Sequence, residues 1–239
     1  MSDIVSTISK ESAIRLMKDI KDITKNSLNS EGIFYKHDTE NMLKGYAMII
    51  GPAYGLYANG IYFFLFHFPT DYPFTPPTVE YCTNDGTTRF NPNLYRQGKV
   101  CLSILNTWPG DSWTSCQSIR SVLLQLLLLF NDTPLLNEPG VTKMHSDYNS
   151  YHEIIQFKNI EYSIYQQLYF KNPIVFTTLF DKEIKTHIKE AFSLIYEECQ
   201  RLIKENSIAV VKTTKLYRMA VTVDYPTLLE KIVSLKEIF

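Results

Sequence analysis

The stretch from Ile61 to Val79 constrains this chain more than any other. It reads I-Y-F-F-L-F-H-F-P-T-D-Y-P-F-T-P-P-T-V. Residues 61–68 are dense in aromatics and give the clearest strand of the sequence. Pro69, Pro73, Pro76 and Pro77 then follow within a few positions. Proline has no backbone N–H to donate to a ladder, so pairing must stop and a rigid surface loop must begin. An aromatic residue before proline favours the cis form, which makes Tyr72–Pro73 a candidate cis bond. Phe74 is left at the tip of that loop, as an exposed interface anchor or folded under it.

Around this strand the chain offers others: Ile33 to His37, Gly45 to Ile50 and Val79 to Cys82. Gly51-Pro52 and Ala58-Asn59-Gly60 mark turns between them. Short strands joined by short turns predict an antiparallel meander. Ser9 to Asn26 precedes it as a helix, with Ala13, Leu16, Met17, Ile20 and Ile23 on one apolar face. Ser118 to Phe130 is a strongly apolar helix stopped by Asn131-Asp132-Thr133-Pro134. Asp147 to Tyr169 predicts a further helix or pair of helices. Helices before and after a meander define an α+β fold. His67, alone in an apolar strand, is expected to pack on the strand face.

Bulk properties exclude several classes. Lys and Arg total 24 against 25 Asp and Glu in 239 residues, so no basic field exists for nucleic acid. Hydrophobic residues make up 45%, enough for a core. The first residues, M-S-D-I-V-S-T-I-S-K, have no apolar signal-peptide core, and the apolar run from Val122 to Phe130 is too short to span a bilayer. Cys82, Cys101, Cys116 and Cys199 form no Cys-x-x-Cys pair and no zinc spacing. A reducing setting, cytoplasmic or nuclear, is expected. The abundance of Asn, Ile, Lys, Tyr and Phe hints at AT-rich coding, as in a protist or a large virus; in the latter case the setting is a host cell.

Chemistry concentrates between Arg89 and Leu105, R-F-N-P-N-L-Y-R-Q-G-K-V-C-L-S-I-L. Asn91-Pro92-Asn93 is turn chemistry, and Gln97-Gly98 permits a second reversal. Two reversals this close bring the Asn93 amide near the sulfur of Cys101. A cysteine in an apolar run is ordinarily a small buried hydrophobe. A thiol beside an amide donor instead suits acyl transfer: the sulfur carries the acyl group, and the amide stabilises or orients the oxyanion.

This segment resembles the active-site motif of ubiquitin-conjugating enzymes, where a His-Pro-Asn turn lies eight residues before the catalytic cysteine. The strand-and-proline segment from Phe66 to Val79, Trp113 and the helix-like run from Ser118 to Phe130 extend the resemblance over roughly residues 10 to 170. The longer segment N-T-W-P-G-D-S-W before the 118–130 helix, the Asn-Pro-Asn turn and N-E-P-G at Asn137 to Gly140 are similar to the Z-type subgroup. The resemblance implies a UBC-like fold of an N-terminal helix, a four-stranded meander and C-terminal helices. It implies a catalytic core over 9–170. It makes Cys101 the acyl carrier and Asn93 its amide, with Asn91, Pro92 and Thr133 supporting the loop. It places Phe74, Trp113 and Ser115 toward ligases and the basic first helix, with Lys10, Lys18 and Lys21, toward the activating enzyme. The implied partners are ubiquitin or a ubiquitin-like modifier, the activating enzyme, ligases and protein substrates. No bound metal or organic cofactor is implied; ATP is used only by the upstream activating enzyme.

The chain departs from the family pattern at several points. Asn91 stands where the family has histidine, a mainly structural hydrogen-bonding residue. Thr114-Ser115-Cys116 replaces Ser-Pro-Ala after the tryptophan. Thr133 occupies the position that many members give to an acid opposite the cysteine. Residues 171–239 lie beyond the compact family domain and form an extension packed on or beside the core, with helices expected at Glu183 to Asn206 and Leu228 to Ile238. The V-D-Y-P-T-L-L segment from Val223 is similar to the end of the Z-type extension, which raises selection of the activating enzyme or the modifier as its role. Two other readings stay open: a non-catalytic ubiquitin-binding adaptor of the same fold, and a cysteine hydrolase using His145 or His152.

Overall fold

The computed structural model describes residues 8–236. Helix α1 spans Lys10–Lys25, and the side chain of Ser9 caps it by accepting from the amide of Ser12 at 3.1 Å. Leu16 and Ile23 are buried, whereas Met17, expected on the same face, is exposed. Asp19 takes a buried position instead, accepting hydrogen bonds from Arg15 and from the hydroxyl of Tyr72. Strands β1 (Ile33–His37), β2 (Lys44–Ile50), β3 (Ile61–His67) and β4 (Thr78–Tyr81) form one antiparallel sheet in sequence order. Its register sets Met48 opposite Phe63 and Phe66 opposite Val79. His67 ends β3 exposed to solvent, between Lys44 and Thr78, so it does not pack as expected.

Both faces of β3 are covered. Alternation sends Tyr62 inward to stack on Phe130 at 4.1 Å, beyond α2 (Ile119–Leu127). The opposite face carries Phe63, which stacks on Phe176 at 4.9 Å and on Phe180 at 6.4 Å. Phe176 belongs to α5 (Ile174–Leu179), so residues beyond 171 supply the second layer. Between them, α3 (Tyr148–Lys158) continues through a π-helical stretch, Asn159–Gln166, into the short α4 (Gln167–Tyr169). Asn159 opens that stretch and anchors it, donating to the carbonyl of Ala58 at 2.9 Å.

After α5, α6 (Asp181–Glu205) buries Ile184, Ile188, Ala191, Ile195, Cys199 and Leu202 along one side. It is tied to β1 by Lys36, whose Nζ lies 2.7 Å from Glu183 and donates to the carbonyl of Leu179 at 2.8 Å. Sequence periodicity anticipates α6 but not the hairpin that follows. Strands β5 (Val210–Thr214) and β6 (Met219–Val223) pair antiparallel and lie against α3. Helix α7 (Tyr225–Leu235) begins earlier than the expected Leu228, with Asp224 as its cap and Pro226 in its first turn. The last residues of the expected helix, Glu237 and Ile238, lie outside the described residues. Among the described residues no helix is long and apolar enough to cross a membrane, and no group of three or more His, Cys, Asp or Glu is placed to hold a metal ion.

Candidate active site

The two reversals read from the sequence are present. Asn91 Oδ1 accepts from the amide of Asn93 at 2.8 Å, and the carbonyl of Asn91 accepts from the amide of Leu94 at 2.9 Å. This is the side-chain-to-backbone turn that asparagine favours. The second reversal turns at Gly98, with φ of +88°. A side chain there would be strained in the left-handed region, and its Cβ would lie 2.8 Å from Glu80 Cγ. The loop closes where Cys101 donates its amide to the carbonyl of Asn93 at 2.8 Å and Asn93 Nδ2 donates to the carbonyl of Cys101 at 2.7 Å.

Residues 93 and 101 are therefore paired, with one difference from expectation: the Asn93 amide is bonded to the cysteine's carbonyl oxygen rather than directed at its sulfur. Asn93 Oδ1 is buried without a hydrogen-bond partner among the described residues, and such a group is costly to leave unpaired. Cys101 itself is 2% exposed. Bonded backbone flanks it on both sides. Asn93 holds one side, and on the other Thr107 Oγ1 accepts from the amide of Leu102 and donates to the carbonyl of Val100, both at 2.9 Å. Nothing in the spacing of the motif singles out Thr107.

Asn91 is fully buried, and its Nδ2 donates to the carbonyl of Leu129 at 2.8 Å. It thus fastens the turn to the end of α2, a structural task that an asparagine amide can perform where the family has an imidazole. Pro92 is buried in the same turn, and its carbonyl accepts from Arg89 Nη2 at 2.6 Å. Thr133 is half-buried, and its amide donates to Asn131 Oδ1 at 2.9 Å. The neighbouring Asp132 accepts from the amide of Leu56 at 3.2 Å.

Burial pushes Cys82 and Cys199 each up to about 12, so neither supplies thiolate near neutral pH. Cys116 is exposed on the segment after Trp113. The histidines proposed for a hydrolase are engaged elsewhere. His152 Nδ1 meets the carbonyl of Tyr148 at 2.6 Å, and burial lowers its pKa. His145 Nδ1 accepts from the amide of Asp147 at 3.1 Å.

The proline loop carries Tyr72–Pro73 in the cis form, as anticipated; Asn172–Pro173 is cis as well. Phe74 is 73% exposed at its tip. Trp113, expected to face ligases, is only 8% exposed, because its indole N–H reaches back to the carbonyl of Pro73 at 2.7 Å. It holds the loop that presents Phe74 instead of forming the surface itself. Ser115 is exposed, and its carbonyl accepts from Arg15 Nη1 at 2.5 Å. Arg15 also pairs with Asp19 at 3.1 Å, and Asp19 accepts from the hydroxyl of Tyr72 at 2.5 Å. This network brings α1, the proline loop and the segment after Trp113 together and explains why Asp19 is buried. Lys10, Lys18 and Lys21 are all exposed on α1.

A family model described as "Ubiquitin-conjugating enzyme" matches residues 15–171. The chain is 41% identical over 163 residues to ubiquitin-conjugating enzyme E2 Z of Xenopus tropicalis, covering 67% of this chain and 51% of that protein. It is 40% identical over 163 residues to the E2 Z of Homo sapiens, covering 67% of this chain and 46% of that one. A probable ubiquitin-conjugating enzyme, E2 23 of Arabidopsis thaliana, is 37% identical over 185 residues, covering 73% of this chain and 16% of the plant protein. The matches thus span about half the length of the E2 Z relatives.

Proposed function

The chain belongs to the ubiquitin-conjugating enzyme family and resembles its Z-type members, and from this we propose that it is a two-step acyl carrier. The thiolate of Cys101 attacks the thioester carbonyl joining a modifier's C-terminus to the activating enzyme. The activating enzyme's sulfur leaves as thiolate, and the acyl group is now on Cys101. A substrate lysine amine then attacks that carbonyl, a tetrahedral oxyanion forms, and collapse releases the Cys101 thiol with a new amide bond. Thiolate is intrinsically nucleophilic, so no built-in base is required once both partners are oriented. The modifier is ubiquitin or a relative, and the partners are the activating enzyme, ligases and protein substrates. The reading needs no metal or organic cofactor on this chain and a reducing compartment, cytoplasmic or nuclear. Residues 9–170 would form the catalytic core and 171–239 an extension of it.

The observation that carries the reading is the mutual pairing of Asn93 and Cys101 across the loop. Because Cys101 is nearly covered, the sulfur must be uncovered as the activating enzyme docks. The test is a loading assay with activating enzyme, ATP and ubiquitin, resolved with and without reductant. A reductant-sensitive adduct that is lost in Cys101→Ser supports the carrier. Absence of any adduct supports an adaptor that binds without chemistry, and cleavage of a modifier fusion supports a hydrolase.

A further inference from the structure

We propose that the turn of the C-terminal hairpin positions the cysteine loop: Tyr217 holds Arg89, and Arg89 holds the Asn91-Pro92-Asn93 turn. The inference builds on the reading of Cys101 as the acyl carrier. Arg89 is buried beside that loop. Its Nε donates to the carbonyl of Asn91 at 3.2 Å and its Nη2 to that of Pro92 at 2.6 Å. Both acceptors belong to the turn that carries Asn93, so the placement of this guanidinium sets the placement of the turn. A buried cation needs partners beyond two carbonyls. Aromatic rings supply them: the guanidinium carbon lies 3.3 Å from the ring centroid of Tyr95 and 5.1 Å from that of Tyr217.

Tyr95 is part of the loop itself, but Tyr217 comes from the link between β5 and β6. That link is gripped at several points. Arg96, 121 positions earlier, donates to the carbonyl of Tyr217 at 2.5 Å. The Tyr217 hydroxyl donates to Glu138 Oε2 at 2.5 Å. The amide of Leu216 donates to Asp147 Oδ2 at 2.7 Å, and the amide of Arg89 donates to Met219 Sδ at 3.3 Å. Tyr217 and Arg218 hold φ of 60° and 48°, a region that side-chain-bearing residues seldom occupy and that surrounding contacts must enforce. The turn thus meets Arg89 and Arg96 of the cysteine loop directly, while Glu138 and Asp147 anchor it from outside that loop.

The test uses the full chain with Tyr217→Ala and Tyr217→Phe and two readouts: iodoacetamide labelling of Cys101 resolved by peptide mass spectrometry, and single-turnover discharge of the loaded thioester to free lysine. Loosening the turn should raise Cys101 labelling and slow discharge by about tenfold each in Tyr217→Ala, the scale of one desolvated cation–ring contact. Labelling of Cys116 should not change. Tyr217→Phe keeps the ring face and should restore both quantities to within about twofold of wild type. Tyr217→Leu, which keeps bulk without an aromatic face, reads the same quantities if the alanine variant does not fold. Wild-type labelling and discharge in the alanine or leucine variant would overturn the proposal, as would a phenylalanine variant as impaired as they are. Failure of the wild type to load would sink the acyl-carrier reading, while the labelling arm would still report the hold of the hairpin.

Discussion

Asn93 and Cys101 bond to each other twice, through the Asn93 side-chain amide to the cysteine carbonyl at 2.7 Å and through the cysteine amide to the Asn93 carbonyl at 2.8 Å. Only the first of these depends on the side chain. Asn93→Ala should therefore leave the backbone pairing in place, spare thioester loading and slow discharge to lysine. If the amide also serves the oxyanion, the loss approaches about 2.7–4 kcal/mol of barrier, or roughly two to three decades in rate. Separate single-turnover measurements of loading and discharge check this; equal loss in both would indicate a misfolded loop.

Trp113 and Phe74 should separate stability from ligase response. Trp113→Phe removes the donor to the carbonyl of Pro73 in a buried setting, with an expected cost of about 1–3 kcal/mol in urea unfolding. Phe74→Ala alters an exposed tip and should move stability by no more than about 0.5 kcal/mol. The same Phe74 variant should lose most ligase-stimulated discharge while its unstimulated rate is unchanged.

The exposed lysines of α1 give a salt-dependent prediction. Lys18→Glu with Lys21→Glu should slow loading by roughly five- to tenfold at low ionic strength, and the deficit should shrink as salt is added, because exposed charges are screened. Loading time courses at two ionic strengths decide it; unchanged kinetics at both would remove these residues from the activating-enzyme surface.

Asp85 predicts an acid limb to stability. Burial raises its pKa, but hydrogen bonds from the amide and hydroxyl of Thr88 and the charge of Lys158, 3.2 Å away, outweigh burial and hold it below the ordinary value. A carboxyl with a depressed folded pKa stabilises the protein above its unfolded value of about 3.9 and loses that contribution as pH falls through the folded value. The stability gap between wild type and Asp85→Asn should be full at pH 6 and close below about pH 4, as read by urea midpoints. A gap independent of pH would refute the assignment.

Local spacing makes the cysteine loop legible, because its two turns are set by bonds between near neighbours, although the anchoring of Asn91 to Leu129 is not written in that spacing. Exposure was not legible. Whether Trp113 faces outward depends on the carbonyl of Pro73, and Cys101 is enclosed by its own bonds to Asn93 and by the bonds of Thr107 to the flanking Val100 and Leu102, which only the folded loop defines. The β5–β6 hairpin is not legible in the sequence for a related reason. Its turn uses Tyr217 and Arg218 at positive φ, where such turns usually announce themselves with asparagine or glycine. Met17 and His67 show the limit of periodicity: an apolar position can face water, and the last residue of a strand has no layer above it.

The stacking of Phe63 against Phe176 and Phe180 has a consequence for anyone wishing to divide this molecule. A chain cut after residue 171 would retain every side chain of the cysteine loop itself yet strip the aromatic outer surface of the sheet bare. Such a fragment would be sticky rather than minimal, prone to self-association through a patch that the intact protein never shows to solvent.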